Sequence, residues 1–315
     1  MTDRTPRVLV FSPSPLLTVT VESRGSATDV HLHAGGQGMW VARMVRTLGL
    51  PVKLCGCFGG ETGLVLRSLV QREGVEMHVV SAEVPNAAYV HDRRSGERDV
   101  VAEMDPPSLS RHEVDELYGA VILEALEADV CVLTGTPSPD VVPVEVYRRL
   151  ADDLRANDTA VVADLSGEQL TAALAGGLDL LKVSHDELVE AGRTDGDGQK
   201  ELLKAMRDLH DEGAANVVVS RADDPTLAMI EDTIVEVLVP PLQAVDPRGG
   251  GDSMTAGLAT SLARHEKLED ALRLGAAAAA LNVTRRGLAT GERPQIERMV
   301  SEVEVRPLDE DADVE

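Results

Sequence analysis

The chain has 315 residues, above the ~250–300 at which a single core stops growing, so one large domain with an appendage, or two domains, is expected. Hydrophobic residues make up 43% and aromatics only 2%, namely Phe11, Trp40, Phe58, Tyr89, Tyr118 and Tyr147, so the core must be aliphatic. Thirty basic against 54 acidic residues leave a formal charge of −24, which repels phosphate backbones and anionic membrane surfaces and excludes nucleic acid and membrane as partners.

In chain order, short β-branched apolar runs at Val8–Phe11, Val52–Cys57, Val130–Thr134, Ala160–Asp164, Leu180–Val183 and Asn216–Ser220 read as strands. Amphipathic stretches at Gly38–Leu48, Thr62–Glu73, Arg111–Leu126, Val144–Ala156 and Lys200–Glu212 alternate with them. The pattern predicts an α/β fold with a doubly wound, mostly parallel sheet flanked by helices. Two segments, about 14–34 and 85–104, alternate polar with apolar residues instead, and Arg93-Arg94-Ser95-Gly96 reads as a hairpin turn. They predict a small antiparallel sheet, suited to cover a site at the strands' carboxyl ends or to serve as a dimer contact. Residues 1–306 read as one domain. Residues 307–315, with Asp309, Glu310, Asp311, Asp313 and Glu315, read as a solvated acidic tail.

The run Val8–Phe11 is too short for a signal-peptide core and Ala276–Leu281 too short to span a bilayer, so a cytoplasmic protein is expected. Cys55, Cys57 and Cys131 read as small buried residues rather than a disulfide or metal set.

Chemistry concentrates in two glycine clusters. Gly249-Gly250-Gly251-Asp252 opens a helix, so converging backbone N–H groups and the helix amino end make an anion cradle. An acid there does not help to hold phosphate; on local pattern Asp252 reads equally as a general base or as a helix cap. Gly35-Gly36-Gln37-Gly38 opens a second helix through Trp40, yet fits neither a P-loop nor a dinucleotide fingerprint.

Together the clusters resemble the PfkB family of ribokinase-like carbohydrate kinases, nearest its 1-phosphofructokinase and tagatose-6-phosphate kinase branch. Gly35 to Arg43 is similar to the family's Gly-Gly-Lys-Gly-x-Asn-x-Ala, and Asp246 to Gly257 to its Asp-Thr-x-Gly-Ala-Gly-Asp-x-x-x-Ala-Gly. Asp164 to Leu170, Lys182 to Leu188, and Ala277 to Gly287 with Arg285 and Arg286 resemble three further segments in the family's order. The resemblance implies an ATP-dependent, Mg²⁺-assisted kinase acting on a hydroxyl of a sugar, sugar phosphate or related small molecule. It implies Asp252 as catalytic base, Gly249, Gly250 and Gly251 as anion hole, and Glu187 as the residue organising Mg²⁺. Gly35, Gly36, Gln37 and Trp40 would meet the substrate. Ser184, Ser220, Arg221, Arg248, Ala276 and Ala279 would meet the nucleotide, and the inserted sheet becomes a lid that in relatives often clasps a second subunit.

The departures cluster at the substrate. Gln37 stands for the signature lysine, Trp40 for a sugar-binding asparagine and Leu16 for an aspartate, and around Pro85 to His91 the arginine and lysine that hold an existing phosphate are missing. A hydrogen bond to a charged group contributes ~1.5–3 kcal/mol, so two lost contacts cost roughly two to four powers of ten in affinity. Arg93, Arg94 and Arg98 are the available substitutes, although solvated hairpin charges are the plainer reading. On the nucleotide side Ser184 replaces an asparagine, and the loop after Ser220 carries Asp223 and Asp224 in place of glycines. These changes leave a second reading, a weakened kinase that serves as a ligand-binding or regulatory module.

Overall fold

The computed structural model describes residues 4–196, 198–285 and 287–308. Arg286 and the acidic residues of the predicted tail lie outside them. Ten strands form the main sheet: β1 (Val8–Phe11), β4 (Val52–Gly59), β5 (Glu76–Ala82), β8 (Val130–Thr134), β9 (Ala160–Asp164), β10 (Leu180–Ser184), β11 (Asn216–Arg221), β12 (Asp224–Ile230), β13 (Thr233–Leu238) and β14 (Glu304–Pro307). Their order is β14-β13-β12-β11-β10-β9-β8-β1-β4-β5, parallel from β5 to β11 and antiparallel beyond. The six runs read as strands are all present. Buried on both faces, they lack alternation, which made them legible. Pro307 and Leu308, placed in the tail by sequence, belong instead to the sheet edge, where Pro307 pairs with Val235 and Leu308 donates its N–H to Ile234.

Alternate residues of each strand feed two cores. Leu9, Phe11, Cys55, Cys57, Cys131 and Leu133 face helices α3 (Arg111–Ala125), α4 (Glu145–Ala156), α5 (Gly167–Gly176), α6 (His185–Glu190) and α7 (Gln199–Asp211). Val8, Val10, Leu54, Val130 and Val132 face α1 (Gln37–Thr47), α2 (Gly60–Arg72), α8 (Gly250–Ala263), α9 (Leu268–Val283) and α10 (Arg293–Val300). All three cysteines are buried and free, and burial lifts the Cys55 and Cys57 thiols to about 12, which keeps them inert. The alanine run lies on α9 and lets it press against α8: a Cβ on Gly257 would stand 2.6 Å from Gly275 Cα.

The inserted segments form a separate four-stranded sheet, order β3-β2-β6-β7, from β2 (Leu16–Arg24), β3 (Ala27–Gly35), β6 (Ala88–Asp92) and β7 (Asp99–Met104). It is two antiparallel hairpins, β2–β3 and β6–β7, joined through a parallel β2–β6 pair. The turn between β6 and β7 passes through Gly96 at φ 93°, as Arg93-Arg94-Ser95-Gly96 predicted.

Candidate active site

From β1 the chain runs outward to β4 and β5 and then returns to β8 on the other side, so the sheet reverses its order between β1 and β8. Open α/β sheets bind ligands at such a reversal, beyond the strands' carboxyl ends. A cleft of about 300 Å³ lies there, lined among others by Ser14 and Leu16 after β1, Gly135 and Thr136 after β8, Asp164 and Leu165 at β9, Glu187 after β10, and Tyr89 of the lid. A crevice of about 20 Å³ at the opposite strand ends, near Val8 and Val52, has room for little more than one water.

Gly36, Gln37 and Trp40 line the cleft, and Gly35 ends β3 beside them with Trp40 Cζ2 3.6 Å from where its Cβ would be. Gln37 is committed to the wall, its Oε1 accepting the Gly135 N–H at 2.9 Å. Leu16, the changed aspartate position, also faces the cleft.

Behind the floor sits a buried charged cluster. Lys182 Nζ lies 3.3 Å from Asp164 Oδ1, and the Thr255 hydroxyl donates to Asp164 Oδ2 at 2.7 Å. Burial alone would depress Lys182, but Asp164, Glu187 and Asp252 hold its pKa above the ordinary value. Asp252 is only 9% exposed. Burial first, then the Asp164 charge, raise it to about 8, against the opposing pull of Lys182. Asp164 is likewise raised by burial. Sequence reasoning does not single out Asp164, Lys182 and Thr255 as site residues; a lysine inside an otherwise apolar strand and an aspartate ending one are the available signals.

The capping reading of Asp252 is corrected by geometry. Gly249 is the N-cap of α8, in the left-handed region at φ 75°, with no side-chain cap, and Asp252 stands three residues into the helix. A Cβ on Gly251 would meet Lys182 Nζ at 2.6 Å, and one on Gly250 would meet Val283 Cγ1 at 3.2 Å. Backbone amides, the helix amino end and a lysine thus converge where an anion can approach without side chains in the way.

Glu187 faces the cleft while its Oε2 accepts from the backbone N–H and the hydroxyl of Ser184 at 2.7 and 2.8 Å, a capping box that starts α6. Ser184 is thereby engaged as a cap. The described residues contain no group of three or more His, Cys, Asp or Glu able to cage a metal. The two carboxylates that line the cleft, Asp164 and Glu187, fit Mg²⁺, which is usually held by one or two carboxylates together with substrate phosphates.

The other nucleotide candidates lie outside the cleft lining. Arg221 reaches Asp224 Oδ2 at 3.4 Å, and the Ser220 carbonyl oxygen lies 3.3 Å from His185 Nδ1. Ala276 is buried in the core that α9 shares with α8, and Ala279 packs against it. Arg248 grips Asp246 with its Nε at 2.8 Å and one NH2 at 2.5 Å. The hairpin arginines divide: Arg94 is a solvent-side charge on Asp92, but Arg93 turns to Asp246 at 3.9 Å and Arg98 meets the His91 ring. For the half-buried Arg93 the solvated reading is corrected, because the lid turns it toward Asp246 ahead of the anion loop; Arg98 stays exposed while it touches His91.

A doubly wound sheet with a glycine anion cradle, a buried acid beside it and a lid over the cleft defines a phosphoryl-transfer enzyme. The pattern of pfkB family carbohydrate kinases spans residues 14–295, and the chain belongs to that family. Among its relatives, 1-phosphofructokinase of Bacillus subtilis is 28% identical over 88% of this chain and 89% of its own. ATP-dependent 6-phosphofructokinase isozyme 2 of Mycobacterium tuberculosis is 30% identical over 93% of this chain and 88% of its own. Phosphofructokinase-2 of Escherichia coli in complex with potassium superposes with a TM-score of 0.80 at 25% identity, covering 94% of this chain and 98% of its own. The protein is a carbohydrate kinase, a phosphotransferase with an alcohol acceptor; nothing in these relationships favours a regulatory module.

Proposed function

We propose that the chain transfers the γ-phosphoryl group of ATP to a hydroxyl of a sugar or sugar phosphate, with Asp252 as the base. The observation that carries this reading is the cluster under the cradle: a buried carboxylate at the start of α8, with Lys182 against Gly251. The acceptor hydroxyl enters from the cleft bounded by Gln37, Trp40 and Tyr89. Asp252 takes its proton as the new O–P bond forms, the bond to the β-phosphate oxygen breaks and ADP leaves. The N–H groups around Gly249, Gly250 and Gly251 and the Lys182 ammonium hold the charge that spreads over the transferring phosphoryl oxygens. Mg²⁺, organised by Glu187, neutralises phosphate charge when bound.

The described residues, through Leu308 at the sheet edge, act as one cytoplasmic kinase domain. The lid pairs two copies, since Val30 and Leu32 on β3 and Val100 and Val101 on β7 leave apolar side chains exposed. Leu32→Asp is expected to give monomers by sedimentation velocity; an unchanged dimer, or a parent that is already monomeric, rejects that pairing.

The test is ATP turnover against a panel of sugars and sugar phosphates. Asp252→Asn should lower kcat by roughly 10²–10⁴ while thermal stabilisation by Mg²⁺-ATP persists. A full panel without turnover, or turnover indifferent to the substitution, rejects the reading.

A further inference from the structure

The inner face of the lid carries a polar row that the transfer step does not use. Tyr89, which lines the cleft, and His91, two residues on along β6, share that face with their rings 6.3 Å apart. His91 is 2% exposed, and its Nδ1 is one of two buried side-chain polar atoms without a partner among the described residues, the other being Thr260 Oγ1.

The hydrogen-bond polarity of His91 is set by Arg98. Its Nε2 sits against an NH2 group of Arg98, and a guanidinium only donates, so Nε2 accepts and the ring proton lies on Nδ1. Burial, then Arg98, lowers the His91 pKa and keeps the ring neutral. The unpartnered atom is therefore a buried N–H donor, and what it lacks is an acceptor.

Its surroundings are cationic. The charges of Arg98, Arg93 and Arg248 all act on His91, against Glu103. Arg93, 29% exposed, meets carboxylates only beyond hydrogen-bond length, Asp246 at 3.9 Å and Glu22 at 4.0 Å. Arg248 spends its Nε and one NH2 on Asp246, and a guanidinium has five donors. Arg248 also immediately precedes the cradle, and Asn282 fixes its carbonyl by donating at 2.8 Å. In a chain of net charge −24, an orphaned buried donor whose ring touches one guanidinium and feels the charge of two more is a local exception.

We propose that His91, Arg93, Arg98 and Arg248 form an anion site between lid and cradle loop that takes a phosphate group. Asp246 stands in part for that ligand, holding Arg248 and attracting Arg93 until a phosphate oxygen reaches the same forks and accepts from His91 Nδ1. The site supplies cations that the substrate side lacks at its expected positions, from a different part of the lid. The phosphate is either that of a phosphorylated acceptor or one belonging to the nucleotide; only this choice of source rests on the kinase reading.

The experiment compares wild type, Arg93→Gln, Arg98→Gln and the control Arg94→Gln by calorimetric titration with fructose 6-phosphate, fructose 1-phosphate, fructose, Mg²⁺-ATP and inorganic phosphate. Loss of one charge-assisted contact should weaken the phosphate ligand roughly ten- to hundred-fold in the first two variants, leave fructose unchanged, and have no effect in Arg94→Gln. A loss confined to the sugar phosphates identifies the acceptor as the source, and a loss confined to Mg²⁺-ATP identifies the nucleotide. Inorganic phosphate should also shift and protect the His91 Nδ1–H resonance in ¹⁵N-resolved NMR. Unchanged affinities for every phosphate ligand in folded Arg93→Gln and Arg98→Gln, or an unmoved His91 resonance, overturn the site. Asp252→Asn should lose turnover and keep these binding readouts, whereas a wild type that turns over no substrate refutes the kinase reading without touching this one.

Discussion

Beneath the cleft, Asp164, Lys182, Thr255 and Asp252 are buried and carried by strands and a helix of the packed core, with Lys182 and Thr255 both bonded to Asp164, whereas above it the lid exposes much of β3 and all of β7. The floor holds these groups on rigid elements, where small displacements are costly. The lid, linked to the core through few contacts, can change its side chains without disturbing the fold. In the proposed reading the floor keeps the groups that phosphoryl transfer uses, while the departures sit around it, at Leu16, Gln37, Trp40 and the missing cations after Pro85 on the substrate side and at Ser184 and the loop after Ser220 on the nucleotide side. That reading makes chemistry and specificity separable by depth, which the variants below test.

The variant expected to do most damage is Lys182→Met. It leaves Asp164, Asp252 and Glu187 without their shared cation, and breaking a buried ion pair costs ~3–5 kcal/mol. Urea unfolding should show this loss, smaller at low pH because protonation relieves the abandoned carboxylates. A change below about 0.5 kcal/mol would make the floor no more electrostatic than an ordinary surface.

Asp252→Asn tests the same floor by pH. The folded-state pKa is raised above its ordinary carboxylate value to about 8, so the native state holds the proton more tightly than the unfolded chain. The cost of the buried charge is absent below the unfolded pKa, grows as pH rises and is complete above the folded one. The amide of the variant mimics the protonated form, so the gain in Tm over the parent should be larger at pH 8 than at pH 5, by up to a few kcal/mol in stability. A gain independent of pH would mean that folding leaves the Asp252 pKa unshifted. In the parent, kcat/KM should rise with pH through the neutral range, later than for an ordinary carboxylate base.

The same contrast in depth explains what could be read in advance. Continuously apolar strands such as Val130–Thr134 declare themselves, and so does the glycine cradle, because few residue types tolerate its geometry. Edge elements were less legible. β5 mixes Glu76 and His78 with apolar residues, and β12 and β13 join through a turn with Glu231 at positive φ. The partners of the cradle were invisible for another reason: Lys182 meets Gly251, and Arg93 meets Asp246, only after crossovers that no local pattern encodes. Charge alone did not separate Arg93 from its neighbour Arg94, yet β6 and the turn send one inward and the other to Asp92.

The mildest test lies where floor and wall meet, at Gln37. Its amide oxygen accepts the Gly135 N–H at 2.9 Å at the reversal of strand order, so it both shapes the cleft and satisfies a partly buried backbone donor. Gln37→Met keeps length and volume but removes the acceptor, and should cost about 1 kcal/mol in urea unfolding. If the wall governs specificity independently of the floor, KM for the acceptor rises while kcat moves little. If kcat falls in step with kcat/KM, the wall shares in stabilising the transition state and the separation by depth fails. Gln37→Lys sharpens the outcome. It restores the residue type of the family signature but cannot accept the Gly135 N–H, so a recovered KM at unchanged stability cost would show that the position serves ligand charge, and no recovery would show that it serves the backbone.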